Sequence, residues 1–197
     1  MANSASPCSS RLRAWRARRC YQLEVPSSKP RIVYIHGDGV TCWRWGWVER
    51  VHAELSRAGY PTHFELMPDS VEARAQYWLP FLHEHVRAAE HDVLLGWSCG
   101  AVAAMRYAQT QRVRGLVLVA PYYTDLGLEQ VRRSGFVSES WDWARIRAHA
   151  AQIAIFHSDA DPYISQAELK ELAAALQVVL DHHDALFRVI AFACARD

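Results

Sequence analysis

The feature that most constrains this chain is the segment 92–105, an apolar run at Val93 to Leu95 followed by Gly96-x-Ser98-x-Gly100 and then an Ala-rich stretch. The run is too short for a helix and reads as a buried parallel strand, whereas the Ala-rich stretch reads as a helix. A serine held between small residues at such a junction is a nucleophile elbow, because the tight turn leaves no room for side chains beside it. The new helix also turns unpaired N–H groups toward any negative charge that forms there, and the N–H of Cys99 is the first of them. The pattern alone occurs by chance in about one chain in fifteen of this length. The strand before it and the helix after it are what give it meaning. The competing reading is an ordinary strand-to-helix loop with Ser98 as an N-cap.

The chain's 197 residues suit one α/β domain. Lys and Arg (22) balance Asp and Glu (21), so there is no global field to attract nucleic acid or an acidic membrane, and a small molecule is the expected partner. The five cysteines are scattered without a C-x-x-C pair, which fits a reducing compartment and no structural disulfide or zinc site. No apolar run approaches the ~18 residues of a membrane span. Residues 1–30 form a leader rich in Ser, Ala and Arg with Glu24 as the one acid. It reads as disordered or as an organelle-targeting segment, and it lacks the apolar core of a secretion signal. The expected location is cytoplasmic, with an organelle as the alternative if 1–30 is a transit peptide.

The α/β domain is expected over 31–197. Its first strand, 31–36, ends in Gly37-Asp38-Gly39. A phosphate-binding loop would need G-x-G-x-x-G or Gly-Lys-Ser, so the better reading is a second oxyanion donor, the N–H of Asp38. His36 either braces that loop or is a satisfied histidine at a strand end. Trp43, Trp47, Val51 and Leu55 are spaced for a helix, with Trp43, Trp45 and Trp47 as core or pocket lining. A strand over 62–67 and a long helix over 71–89, bent at Pro80, follow. His83 and His85, two apart on that helix, make a poor metal pair and are expected in solvent. Further strands are expected at 115–120 and 152–156, helical patches within 126–150, a helix at 166–176 and a short run at 178–180. Strands alternating with helices predict a three-layer αβα sandwich around a parallel sheet of five to six strands in flavodoxin-like order. The site belongs at the switch point between the strands ending at His36 and Gly96.

Elbow hydrolases carry their triad in the order serine, acid, histidine. The acid falls on Asp161, in a turn stiffened by Pro162, with Asp159 as the close competitor. After Asp161 the histidines are His182 and His183, and His183 is the expected base, with His182 as its alternative.

From about residue 32 to 176 the chain resembles the small α/β-hydrolase-fold serine hydrolases of the retinoblastoma-binding protein nine type. The resemblance is carried by Gly46-Trp47-Val48, Met67-Pro68-Asp69, Ala73-Arg74, Trp78-Leu79-Pro80-Phe81, the elbow, the segment 103–108, Tyr123-Thr124-Asp125-Leu126-Gly127, Ser134-Gly135, Trp141 with Trp143, and Asp159-Ala160-Asp161-Pro162. It implies a compact α/β-hydrolase fold, Ser98 as nucleophile, Asp161 as acid, and hydrolysis of small carboxylic esters or amides through an acyl-enzyme with no cofactor and no metal. Three positions depart from the pattern: Trp97 replaces a common His, Cys99 follows the nucleophile, and the register of the family's Gly-His-Phe-like loop falls near Phe187-Arg188. The closing helix is expected to be truncated after about residue 180. A non-catalytic protein that binds a ligand or protein partner is the alternative function, since loss of the base would remove turnover.

Overall fold

The computed structural model describes residues 29–44 and 46–181. The expectations for leader residues 1–28, Trp45, His182, His183, the Phe187-Arg188 register and the truncated closing helix therefore lie outside the described residues. Strands β1 (Ile32–Ile35), β2 (Thr62–Phe64), β3 (Val93–Trp97), β4 (Val113–Val119), β5 (Ala150–Phe156) and β6 (Leu180–Asp181) form one sheet. Its order is β2-β1-β3-β4-β5-β6, parallel throughout, as the strand-helix alternation predicts. Register pairs Ile35 with Gly96, Trp97 with Val119, and Val119 with Phe156, so the carboxyl ends that carry the site loops line up along one edge.

Alternate strand residues face opposite ways and feed two cores. Ile32, Tyr34, Val93, Leu95 and Val117 pack with Val48, Val51 and Leu55 of helix α1 (Trp47–Arg57). The opposite face, through Val33, Ile35, Leu94, Leu116 and Leu118, receives α2 (Ala75–Phe81), α3 (Cys99–Ala108), α5 (Trp143–His149) and α6 (Gln166–Leu176). A short helix α4 (Glu129–Ser134) precedes α5.

Four local expectations need correction. Helix α1 begins at Trp47, and Trp43 lies in the preceding turn, where its ring meets His52 and Phe64 edge-on at 4.9 and 5.7 Å. Strand β2 stops at Phe64, and Met67, expected to continue it, turns its N–H to His36. The helix expected over 71–89 starts only at Ala75 and ends in a wide π turn at Leu82–Val86. Its intended first turn is taken by Asp69, whose carboxylate accepts from the Arg74 backbone at 3.2 Å and its guanidinium at 2.7 and 2.9 Å. Asp69 and Ala73 sit at φ 52° and 51°, which a helix cannot contain. Pro80 lies inside α2, where its missing N–H drops one ladder bond just before the π turn. His83 is less wet than expected: its ring packs on Tyr107 at 4.5 Å, and burial pushes its pKa down. His85 is exposed, 3.2 Å from Glu65.

Candidate active site

Ser98 occupies φ 53°, ψ −120° between the end of β3 and the start of α3. A non-glycine residue there stores about 1–3 kcal/mol of strain, and the surroundings must hold it in place. They do so by close approach. A Cβ on Gly96 would lie 2.5 Å from the Gly100 carbonyl oxygen, and one on Gly100 would lie 2.0 Å from the Ile35 oxygen and 2.4 Å from that of His36. All ten residues of α3 are buried, so the helix cannot shift to relax the turn. The N-cap reading of Ser98 fails, because its side chain makes no capping hydrogen bond. The N–H of Cys99, at the first helical position, has no carbonyl one turn behind it within α3.

The neighbouring loop is braced from behind. His36 is fully buried; its Nδ1 donates to the Gly37 carbonyl at 2.6 Å, and its Nε2 accepts from the Met67 N–H at 2.8 Å. Those partners define a neutral Nδ1–H tautomer, and burial pushes the pKa below its ordinary value. Both readings of His36 thus hold together: it is satisfied, and it braces. The Gly37 carbonyl and the Asp38 N–H share one trans peptide, so pinning the first points the second the opposite way, away from the imidazole. The buried neutral imidazole also ties stability to pH. The unfolded chain takes up a proton here below about 6.5, whereas the folded protein resists it to lower pH, so stability is full above that value and falls as pH drops through it. We expect Tm to fall between about pH 7.5 and about pH 5.5, and to fall less in His36→Gln. Equal falls in the two proteins would contradict this assignment.

Ser98 opens onto a cavity of about 620 Å³ that Asp38, Trp97, Tyr122, Gln130 and Asp161 also line. Leu126, Leu128, Val131 and Ile164 make much of the remaining wall apolar. Asp161, after β5, is brought to this cavity. Its Oδ1 accepts the N–H groups of Tyr163 and Ile164 at 2.9 and 3.0 Å, an Asx turn that fixes the carboxylate. Asp159 is absent from the cavity wall, and its side chain is 75% exposed, 3.9 Å from the buried His157. Among the described residues no histidine lines the cavity. His36 has both nitrogens engaged. The Cys99 thiol is buried and its pKa is pushed up by that burial, so it is no competing nucleophile.

Two residues at the site gave no signal in the local sequence pattern. Glu168 of α6 accepts from the N–H groups of Tyr123 and Thr124 at 2.9 and 2.8 Å and from the Thr124 hydroxyl at 2.9 Å. It thereby fixes the loop after β4. Ser165 and Glu168 have capping-box spacing, but only the serine caps, and the glutamate reaches across the fold instead. The other is Gln130, which donates to Asp38 at 2.9 Å. Among the described residues no cluster of three or more His, Cys, Asp or Glu could hold a metal, no helix is long and apolar enough to cross a membrane, and Cys42 and Cys99 are free thiols.

A parallel sheet in this order, with a strained serine between its third strand and the buried helix, defines the class of α/β-hydrolase-fold proteins. Solved structures agree. The ydeN gene product of B. subtilis superimposes with a TM-score of 0.75 at 20% identity over 85% of this chain and all of that one. A putative hydrolase of the alpha/beta superfamily from Xanthomonas campestris pv. campestris gives a TM-score of 0.59 at 23% identity, over 84% of this chain and 91% of the other. The chain belongs to the serine hydrolase family, whose model matches residues 43–185. It is also 38% identical to the serine hydrolase RBBP9 of Rattus norvegicus over 144 residues, 73% of this chain and 76% of the rat protein. The resemblance read from the motifs is thereby established, and the protein is a hydrolase.

Proposed function

We propose that this serine hydrolase cleaves small carboxylic esters or amides through an acyl-enzyme on Ser98. The observation that carries the reading is the strained Ser98 turn opening onto a cavity that also receives Asp161. Ser98 Oγ attacks the carbonyl carbon while its proton passes to an imidazole. The carbonyl oxygen takes the negative charge, held by the N–H groups of Cys99 and Asp38. Collapse of the tetrahedral intermediate expels the alcohol or amine, which recovers the proton from the imidazolium. Water then repeats the sequence on the acyl-enzyme and frees Ser98.

Asp161 orients the imidazole with the oxygen not committed to its own turn. The base is His183, with His182 as alternative. Strand β6 supports a base in this segment: Leu180 and Asp181 pair in parallel with Ile155 and Phe156, at the carboxyl end of β5 that carries the Asp161 loop. We assign the activity to the α/β unit that begins at residue 31 and needs neither cofactor nor metal, and we place the protein in the cytoplasm. Its cavity size suits a small molecule.

The choice of acid is tested by steady-state hydrolysis of p-nitrophenyl acetate. Asp161→Asn should lower kcat by about 10⁴, the scale of losing the tautomer-fixing acid of a triad, whereas Asp159→Asn stays near wild type. Full turnover by Asp161→Asn, or the loss falling on Asp159→Asn instead, would overturn the assignment.

A further inference from the structure

Asp38 and Gln130 are 92 positions apart and meet at the cavity wall, the first on the loop after β1 and the second on α4. The loop carries Gly37 and Gly39 on either side of Asp38, so neither neighbour has a side chain to pack beside it, and the nearest buried side chain that follows is Val40. His36 pins the Gly37 carbonyl, and the Gly39 N–H reaches Val71 at a long 3.3 Å. Among the described residues, the side-chain hydrogen bond of Asp38 itself is to Gln130: its Oδ2 accepts from Gln130 Nε2 at 2.9 Å. Helix α4 can serve as the fixed end. Arg132 reaches back to Asp125 at 2.7 Å, and Phe136, just past the helix, is buried in the core. The same segment places Leu128 and Val131 on the cavity wall.

We propose that Gln130 is a positioning residue for the oxyanion site: its amide holds the Asp38 carboxylate against α4 and so keeps the Asp38 N–H aimed at the reacting carbonyl oxygen. Through this bond the wall that α4 builds for the substrate and the loop that stabilises the transition state are one unit. The inference rests on the reading of Ser98 as nucleophile and of Asp38 N–H as donor. The Asp38–Gln130 bond is exposed, so it adds little to folding stability. Its effect belongs to the transition state.

The test is steady-state hydrolysis of p-nitrophenyl acetate by the full chain, with Tm measured on each variant. Gln130→Ala should lower kcat by about tenfold, less than the 10²–10³ of deleting a donor outright, with KM and Tm close to wild type. Gln130→Glu sets two carboxylates face to face and breaks the contact at neutral pH; one shared proton restores it at lower pH. The ratio of Gln130→Glu to wild-type kcat should therefore rise as pH falls from about 8 to about 5. The other titratable groups facing this contact are Glu129 on α4, Asp161 and Tyr122 across the cavity, His36 behind the loop and Cys99 beneath it. Both proteins carry all of them, so they cancel in the ratio. An unchanged kcat in Gln130→Ala, a loss confined to KM, a loss that follows a fall in Tm, or a ratio flat with pH would each overturn the proposal. A folded wild type that neither turns over the ester nor reacts with a fluorophosphonate would overturn the Ser98 reading and this one with it. Normal wild-type turnover with unaffected Gln130 variants would overturn this one alone.

Discussion

Ser98→Ala should lower kcat by about 10⁶ and leave the fold intact, because it deletes the oxygen proposed to attack and nothing else. What turnover remains would come from the oxyanion donors and the cavity. The backbone of this residue makes a second, opposite expectation. Held at φ 53°, it carries strain that alanine keeps and glycine releases. Ser98→Gly should therefore be as inactive as Ser98→Ala yet more stable, by about 1 kcal/mol. Denaturant midpoints of the two inactive variants provide the comparison. A glycine variant less stable than the alanine variant would mean that the turn is not strained.

The largest loss of stability should come from Gly100→Ala. The added methyl would stand 2.0 Å from the Ile35 oxygen and 2.4 Å from the His36 oxygen, and both are backbone. Neither can yield cheaply, since Ile35 is paired with Gly96 in the centre of the sheet and α3 is buried along its whole length. Opening the contact must separate the elbow helix from β1, at about 4 kcal/mol or more out of a typical 5–15. Chemical denaturation of Gly100→Ala should show a midpoint far below wild type or no folded baseline. A shift of less than about 1 kcal/mol would contradict the close approach.

These two residues also show why the elbow was legible in the chain. A strand, a strained turn and a buried helix lie within sixteen consecutive positions, 93–108, and each imposes its own residue types. The sheet was legible for the same reason, since buried parallel strands must be apolar runs. Helix α6 fell on its predicted bounds because Ser165 caps it at one end and Gln177, at φ 58°, closes it at the other. The helix placed at 71–89 failed where residue type is silent. Asp69 and Ala73 take positive φ for the sake of an ion pair with Arg74 and the turn around it, and neither residue announces that conformation. The site was legible only in part. Asp161 was reached through topology; the structure places it on the cavity wall and leaves the Asp159 side chain largely in solvent, which is the basis for proposing Asp161 as the acid. Gln130 and Glu168 act on partners 92 and 44 or more positions away, so no local pattern could mark them.

The central claim is that the chain holds an activated serine at position 98. Intact mass before and after a fluorophosphonate, followed by peptide mapping, addresses it most directly. We expect one adduct per chain, on Ser98, absent in Ser98→Ala and strongly slowed in His183→Ala or His182→Ala, whichever removes the base. No adduct on a folded protein, or an adduct equally fast in the absence of Ser98, would contradict the claim and favour a protein that keeps the fold and the cavity for binding alone.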